Sequence, residues 1–100
     1  MELFTLQYVL AVAEYRKFSL AAQACYIGQP ALSQQIAKLE KELGVTLFVR
    51  NAHTVTLTEP GKEFVLRAKE ILQSVSALQA EMNRFAGLRK GKLNVGVITS

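Results

Sequence analysis

A chain of 100 residues, half of them hydrophobic, carries enough apolar material for one packed domain and an appendage, which excludes a disordered chain. Its apolar runs fall far short of the roughly 18 residues a membrane span requires, and a single cysteine and a single histidine exclude an internal disulfide and a zinc set, so the expectation is a soluble, cytoplasmic protein without metal or cofactor. The formal charge of +4 is uneven, with five Lys/Arg against four Asp/Glu in residues 1–58 and seven against four in residues 59–100, a bias that fits a nucleic-acid partner without identifying one.

Leu6, Val9, Leu10 and Ala13 fall at i, i+3, i+4 and i+7, one face of a helix over about residues 2–15. Arg16 and Lys17 form a polar break. Ser19 stands just before the run 20–25, where its hydroxyl is placed to cap a second, short helix whose paired alanines permit close approach of a neighbour. Cys25 reads there as a small core residue rather than a reactive thiol. A third helix begins near Pro30, a residue tolerated in a first turn because the donor it lacks has no partner there. It carries Leu32, Ile36, Leu39 and Leu43 on one side and Ser33, Gln34, Ala37, Lys38 and Lys41 on the other, and Gly44 stops it. Two β-prone runs, 46–50 and 54–57, predict a hairpin around Asn51, Ala52 and His53. Thr58 can cap the next helix, with Glu59 at its positive end and Pro60 in its first turn.

That helix is expected to run to about residue 86. Phe64, Ala68, Ile71, Val75, Leu78, Met82 and Phe85 follow at alternating steps of four and three, a heptad repeat that predicts pairing with a second copy. Packing on its own domain is the alternative, but 58 residues are too few to cover such a stripe. An antiparallel pair brings Arg67 beside the partner's Glu81, whereas a parallel pair leaves Arg67 facing Leu72. An exposed ion pair contributes about 0–1 kcal/mol, so it selects orientation while the apolar seam, at roughly 1.5–3 kcal/mol per large side chain, holds the dimer. Residues 87–91 contain two glycines and two basic residues and predict a hinge. Leu93, Val95 and Val97 then alternate with Asn94 and Gly96, as in the first strand of a further domain.

Two helices joined by a short glycine-containing turn, with small polar residues opening the second and a hairpin after it, make a winged helix-turn-helix. The string GQPALSQQIAKLEKELGVTLFVR (28–50), preceded by FSLAAQACY (18–26) and followed by LTEPG (57–61), closely resembles the N-terminal domain of LysR-type transcriptional regulators. The resemblance extends over nearly the whole chain, including AVAE (11–14) and the long helix. It implies a mainly α fold with a small β-hairpin: a winged helix-turn-helix DNA-binding domain over 1–58 (helix-turn-helix about 18–37, wing about 46–57), a linker or dimerisation helix over 59–86, a hinge over 87–91, and over 92–100 the first strand of an otherwise absent effector-binding domain.

The resemblance further implies sequence-specific binding of double-stranded DNA at an inverted-repeat operator, with the third helix in the major groove and the wing on the backbone or minor groove. Gln29 and Pro30 would lie at the DNA, Gln29 at a base edge, since its amide can both donate to and accept from adenine. Ser33 and Gln34 would face a base or a phosphate, and Lys38 and Arg50 the backbone. His53 is counted with these contacts, its ordinary reading being a solvated loop histidine. In the full-length protein the resemblance implies homodimers through antiparallel linker helices, assembling into tetramers. It also implies a small-molecule effector bound by a C-terminal domain, which Thr99 and Ser100, just after that domain's first strand, would contact.

The chain departs from the family pattern in three places: Gly28 replaces a common Ser or Thr, Gln34 a common Arg, and the segment Asn51, Ala52 and His53 an often Arg-rich wing tip. With Lys38, Arg50 and Lys17 as its phosphate contacts, one copy neutralises only about three phosphates, so two copies are needed for useful affinity. An enzyme is disfavoured, because the chain has no Cys/His pair, no phosphate-cradling glycine loop and no carboxylate pair on a concave face; Glu40 and Glu42 read as the solvated side of a helix. The remaining alternative is a winged helix that binds protein rather than DNA.

Overall fold

The computed structural model describes residues 1–93, with side chains through Leu88. Its elements follow in the order α1 (Leu3–Tyr15), α2 (Phe18–Ala24), α3 (Gln29–Leu43), β1 (Phe48–Arg50), β2 (Val55–Leu57) and α4 (Glu59–Leu93). Met1–Glu70 is one compact unit, and Ile71 opens a second. No helix among the described residues is long and apolar enough to cross a membrane.

The first unit is built around Val9 and Val12 of α1, Ala21 and Ala22 of α2, and Leu32, Ile36 and Leu39 of α3, closed by Leu47, Phe48 and Val55 from the hairpin. The buried face of α1 is Thr5, Leu6, Val9 and Val12, with Leu10 and Ala13 only half-buried. Apolar residues occupy more than one side of this helix, so spacing alone admits two registers. Leu43, expected in the apolar row of α3, is largely exposed, because the helix outruns the core by one turn.

Helix α2 begins two residues earlier than its sequence suggests. Phe18 is buried and meets Phe48 edge-on, with centroids 6.2 Å apart, which draws the first turn back to Lys17. Ser19 therefore lies inside the helix, and no side chain caps its start. Cys25 is half-buried at the end of α2 rather than in the core, and burial pushes its thiol pKa up, which keeps it protonated and unreactive. Helix α3 opens after Gly28 with Pro30 in its first turn and ends at Gly44, whose φ of 76° lets its N–H reach the Glu40 carbonyl at 2.8 Å.

The two strands pair antiparallel in the register Phe48↔Leu57, Val49↔Thr56 and Arg50↔Val55, and the Asn51 N–H donates to the Thr54 carbonyl to close the turn. Glu40 fixes where the hairpin starts. Its Oε2 accepts from the backbone N–H of Leu47 at 2.7 Å and of Phe48 at 3.2 Å, so Glu40 is half-buried structural anchorage and not the solvated residue its sequence position suggests. Glu42 is exposed beside the N-terminal amine, 3.6 Å away.

Thr58 caps α4 as expected: its Oγ1 accepts from the Gly61 N–H at 3.0 Å and donates to the Thr46 carbonyl. The glycine of the LTEPG string is explained by the same contact. A Cβ on Gly61 would stand 2.1 Å from the Leu47 carbonyl oxygen, so only glycine lets the first turn of α4 lie against the backbone that leads into β1.

Helix α4 then continues to Leu93, through the segment 87–91 where a hinge is expected. A glycine inside a helix costs about 1 kcal/mol relative to alanine, which weakens a helix without stopping it when strong helix formers such as Leu88 and the basic residues surround it. Residues 92 and 93 of the expected strand are helical for the same reason; its remainder, including Thr99 and Ser100, lies outside the described residues.

Replacing Gly61 by Ala is expected to destabilise the fold by about 2 kcal/mol or more, since the clashing atom is backbone and cannot swing aside. Glu40→Ala, which leaves two partly buried amides without an acceptor, is expected to cost roughly 1–3 kcal/mol, and Glu40→Gln, which keeps an acceptor, clearly less. Urea unfolding followed by circular dichroism measures both.

Candidate nucleic-acid interface

The orientation of α3 follows from its buried ridge. With Leu32, Ile36 and Leu39 in the core, the 100° step of the helix turns Pro30, Gln34, Ala37, Lys38 and Lys41 outward as an exposed band. Gln29 is exposed at the start of the helix, where backbone donors are still free, and Ser33 is half-buried on the same side one turn on. The helix thus presents a polar amide, a flat proline ring and a second amide, a surface that can exchange hydrogen bonds while approaching closely.

Gln29 also lines a cleft of about 440 Å³ between the starts of α2 and α3 and the wing. Arg50, Asn51, Ala52, His53 and Thr54 form the wing side, and Arg16, Lys17 and Ser19 the other. The structure therefore brings four of the expected contacts, Lys17, Gln29, Arg50 and His53, to one place. Arg50 is held there by stacking, with its guanidinium carbon 4.0 Å from the centroid of the Phe18 ring, an arrangement worth about 0.5–1 kcal/mol at an exposed site. Pro30 and Gln34 stand on the outer face of α3. Lys38 is separate: it lines a smaller depression with Met1, Glu2, Thr5 and Glu42, where two carboxylates share its surroundings.

Sequence reasoning passed over Arg16 as part of a polar break. Its backbone has φ 59°, the left-handed conformation that ends α1, and its carbonyl accepts from the Val55 N–H at 3.1 Å. The signal becomes visible only once the helix end is known, because a cation is unusual where glycine is the common residue.

The expected pairing stripe of α4 divides. Phe64 is half-buried against the core of its own unit and Ala68 is 1% exposed, so the domain itself covers much of the first part of the stripe and all but removes Ala68 from it. In the second unit Ile71, Leu78, Met82 and Phe85 are exposed, Leu78 to 60%, and Val75 is half-buried. Arg67 and Glu81, expected to meet across paired helices, each have a partner on their own helix. Arg67 binds Glu63 at 2.8 Å and Glu70 at 3.4 Å, and Glu81 binds Arg84. These i,i+3 and i,i+4 pairs form without any second chain, so that ion pair does not by itself select an orientation.

Residues 3–62 match the family described as bacterial regulatory helix-turn-helix protein, lysR family. The chain belongs to the LysR family. Among curated relatives it is 40% identical over 97 residues to an uncharacterized HTH-type transcriptional regulator, YcgK, of Bacillus subtilis strain 168, covering 97% of this chain and 30% of the relative. It is 39% identical over 98 residues to the DNA-binding transcriptional dual regulator OxyR of Escherichia coli K12, covering 98% of this chain and 32% of that protein. The chain thus spans about a third of the length of these LysR-family relatives. Among solved structures it superposes on the BenM_DBD/catB site 1 DNA complex with a TM-score of 0.84 at 39% identity, covering 87% of this chain and 97% of that one. Its LysR relatives are transcriptional regulators and not enzymes.

Proposed function

We propose that residues 1–58 bind double-stranded DNA sequence-specifically, with the start of α3 in the major groove and the β1–β2 wing on the backbone or in the minor groove, and that the protein acts in the cytoplasm as a transcription regulator. The observation that carries this reading is the exposed polar edge of α3 beside a cleft lined by cations, in a LysR-family domain similar over nearly its whole length to one solved as a DNA complex. Gln29 reads a base edge, with Pro30, Ser33 and Gln34 fitting the groove around it. Arg50 and His53 meet the backbone from the wing, and Lys38 does so farther along α3.

Affinity and symmetry both call for two copies. The exposed stripe Ile71, Val75, Leu78, Met82 and Phe85 supports a homodimer through antiparallel linker helices, which places two α3 helices on an inverted-repeat operator and assembles into tetramers in the full-length protein. In the full-length protein a small-molecule effector acts through a C-terminal domain, with Thr99 and Ser100 among its contacts.

Selection from random duplexes is expected to yield an inverted repeat, and Gln29→Ala to lose roughly 10- to 100-fold in discrimination at one position of each half-site while nonspecific binding persists. Binding indifferent to base sequence, or confined to protein partners, would overturn the reading. Replacing both Ile71 and Leu78 by Asp is expected to give a folded monomer by sedimentation with specific binding lost; an intact dimer would refute the pairing surface.

A further inference from the structure

The cleft beside Gln29 gathers more positive charge than base reading requires. Arg16, Lys17, Arg50 and His53 line it together with Ser19 and Gln29, and no acidic side chain does. Among the described residues, none of Arg16, Lys17 and Arg50 takes part in an ion pair. Three cations held around one opening without a counterion repel one another, and an anion bound between them relieves that repulsion.

Two features fix this arrangement before any ligand arrives. The Val55 N–H bonds the Arg16 carbonyl at 3.1 Å, so the turn after α1 is tied by backbone to the strand next to the wing tip. Arg50 lies over the Phe18 ring on the opposite wall. The chain also keeps an arginine at a left-handed position, φ 59°, where glycine would be less strained. A side chain retained at conformational cost in a cationic cleft points to a role for the side chain itself.

We propose that this cleft is a clamp for a DNA backbone phosphodiester, in which Arg16 and Lys17 act with Arg50 on the strand flanking the base pair that Gln29 reads. The inference rests on the DNA-binding reading above and adds Arg16 to it, joining Lys17 and Arg50 so that wing and recognition helix grip one stretch of strand. The clamp neutralises one phosphate and releases its counterion, so its three cations together contribute about 0.9 to the salt slope, equivalent to about eightfold in affinity at 0.1 M salt. Because phosphates carry no base identity, the clamp sets register and affinity and leaves sequence preference unchanged.

The test measures binding of the 100-residue chain to its selected duplex between 0.05 and 0.3 M salt, a range of order the Debye-screened regime. Arg16→Gly relieves the left-handed strain and keeps the Val55 bond, so its Tm is expected to be no lower than wild type while affinity falls by up to about eightfold and the salt slope drops by up to about one, the ceiling set by a single phosphate. Lys17→Gln is expected to give the same loss, and Arg16→Lys to recover most of it. In a duplex carrying one neutral methylphosphonate at the clamped position, wild type and Arg16→Gly should bind alike. Unchanged affinity and slope in both Arg16→Gly and Lys17→Gln, with wild type binding normally, would overturn the clamp alone. A wild-type chain that prefers no duplex sequence would overturn the parent reading, and the clamp with it.

Discussion

Burial of the Leu32, Ile36 and Leu39 ridge is the constraint on which the molecule depends. Once those three side chains enter the core, the rotation of α3 about its axis is fixed, and Pro30 and Gln34 have no direction left but outward. Ala21 and Ala22 of α2 make room for that ridge by being small. The same helix then sets the wing, because Glu40, on its inner flank, holds the amides that lead into β1. Reading edge and wing are therefore two faces of one rigid element, and their relation does not rely on a loop.

Charge is used sparingly and in one place. The first 58 residues carry almost no net charge, yet Arg16, Lys17, Arg50 and His53 converge while Glu2 and Glu42 gather at the far end of α3 beside Lys38. Such separation gives the Gln29 end of the domain a more positive potential than the far end of α3. Stacking of Arg50 on Phe18 adds order, since a guanidinium resting on a ring loses less freedom when it meets a phosphate than one that is fully solvated.

Helix α4 changes role along its length. Its first turn is locked by Thr58 and Gly61, and Phe64 and Ala68 complete the core of the first unit. From Ile71 onward the same heptad continues with its apolar residues uncovered. One periodic pattern thus completes a core in its first turns and leaves an apolar face exposed in the turns that follow.

The sequence by itself determined the element order, the recognition helix with its Pro30 start and Gly44 stop, the Thr58 cap and the family, because each rests on local backbone chemistry or on motifs contiguous in the chain. It misjudged what depends on neighbours distant in sequence. The start of α2 moved because Phe18 finds Phe48, Glu40 was half-buried because two amides of the next element need an acceptor, and the glycines at 87–91 did not end α4. The meeting of Arg16 with the wing and the burial of Ala68 were likewise decided only by tertiary structure. Periodicity reports that a face is apolar, and only the packed chain decides which part of that face it covers itself.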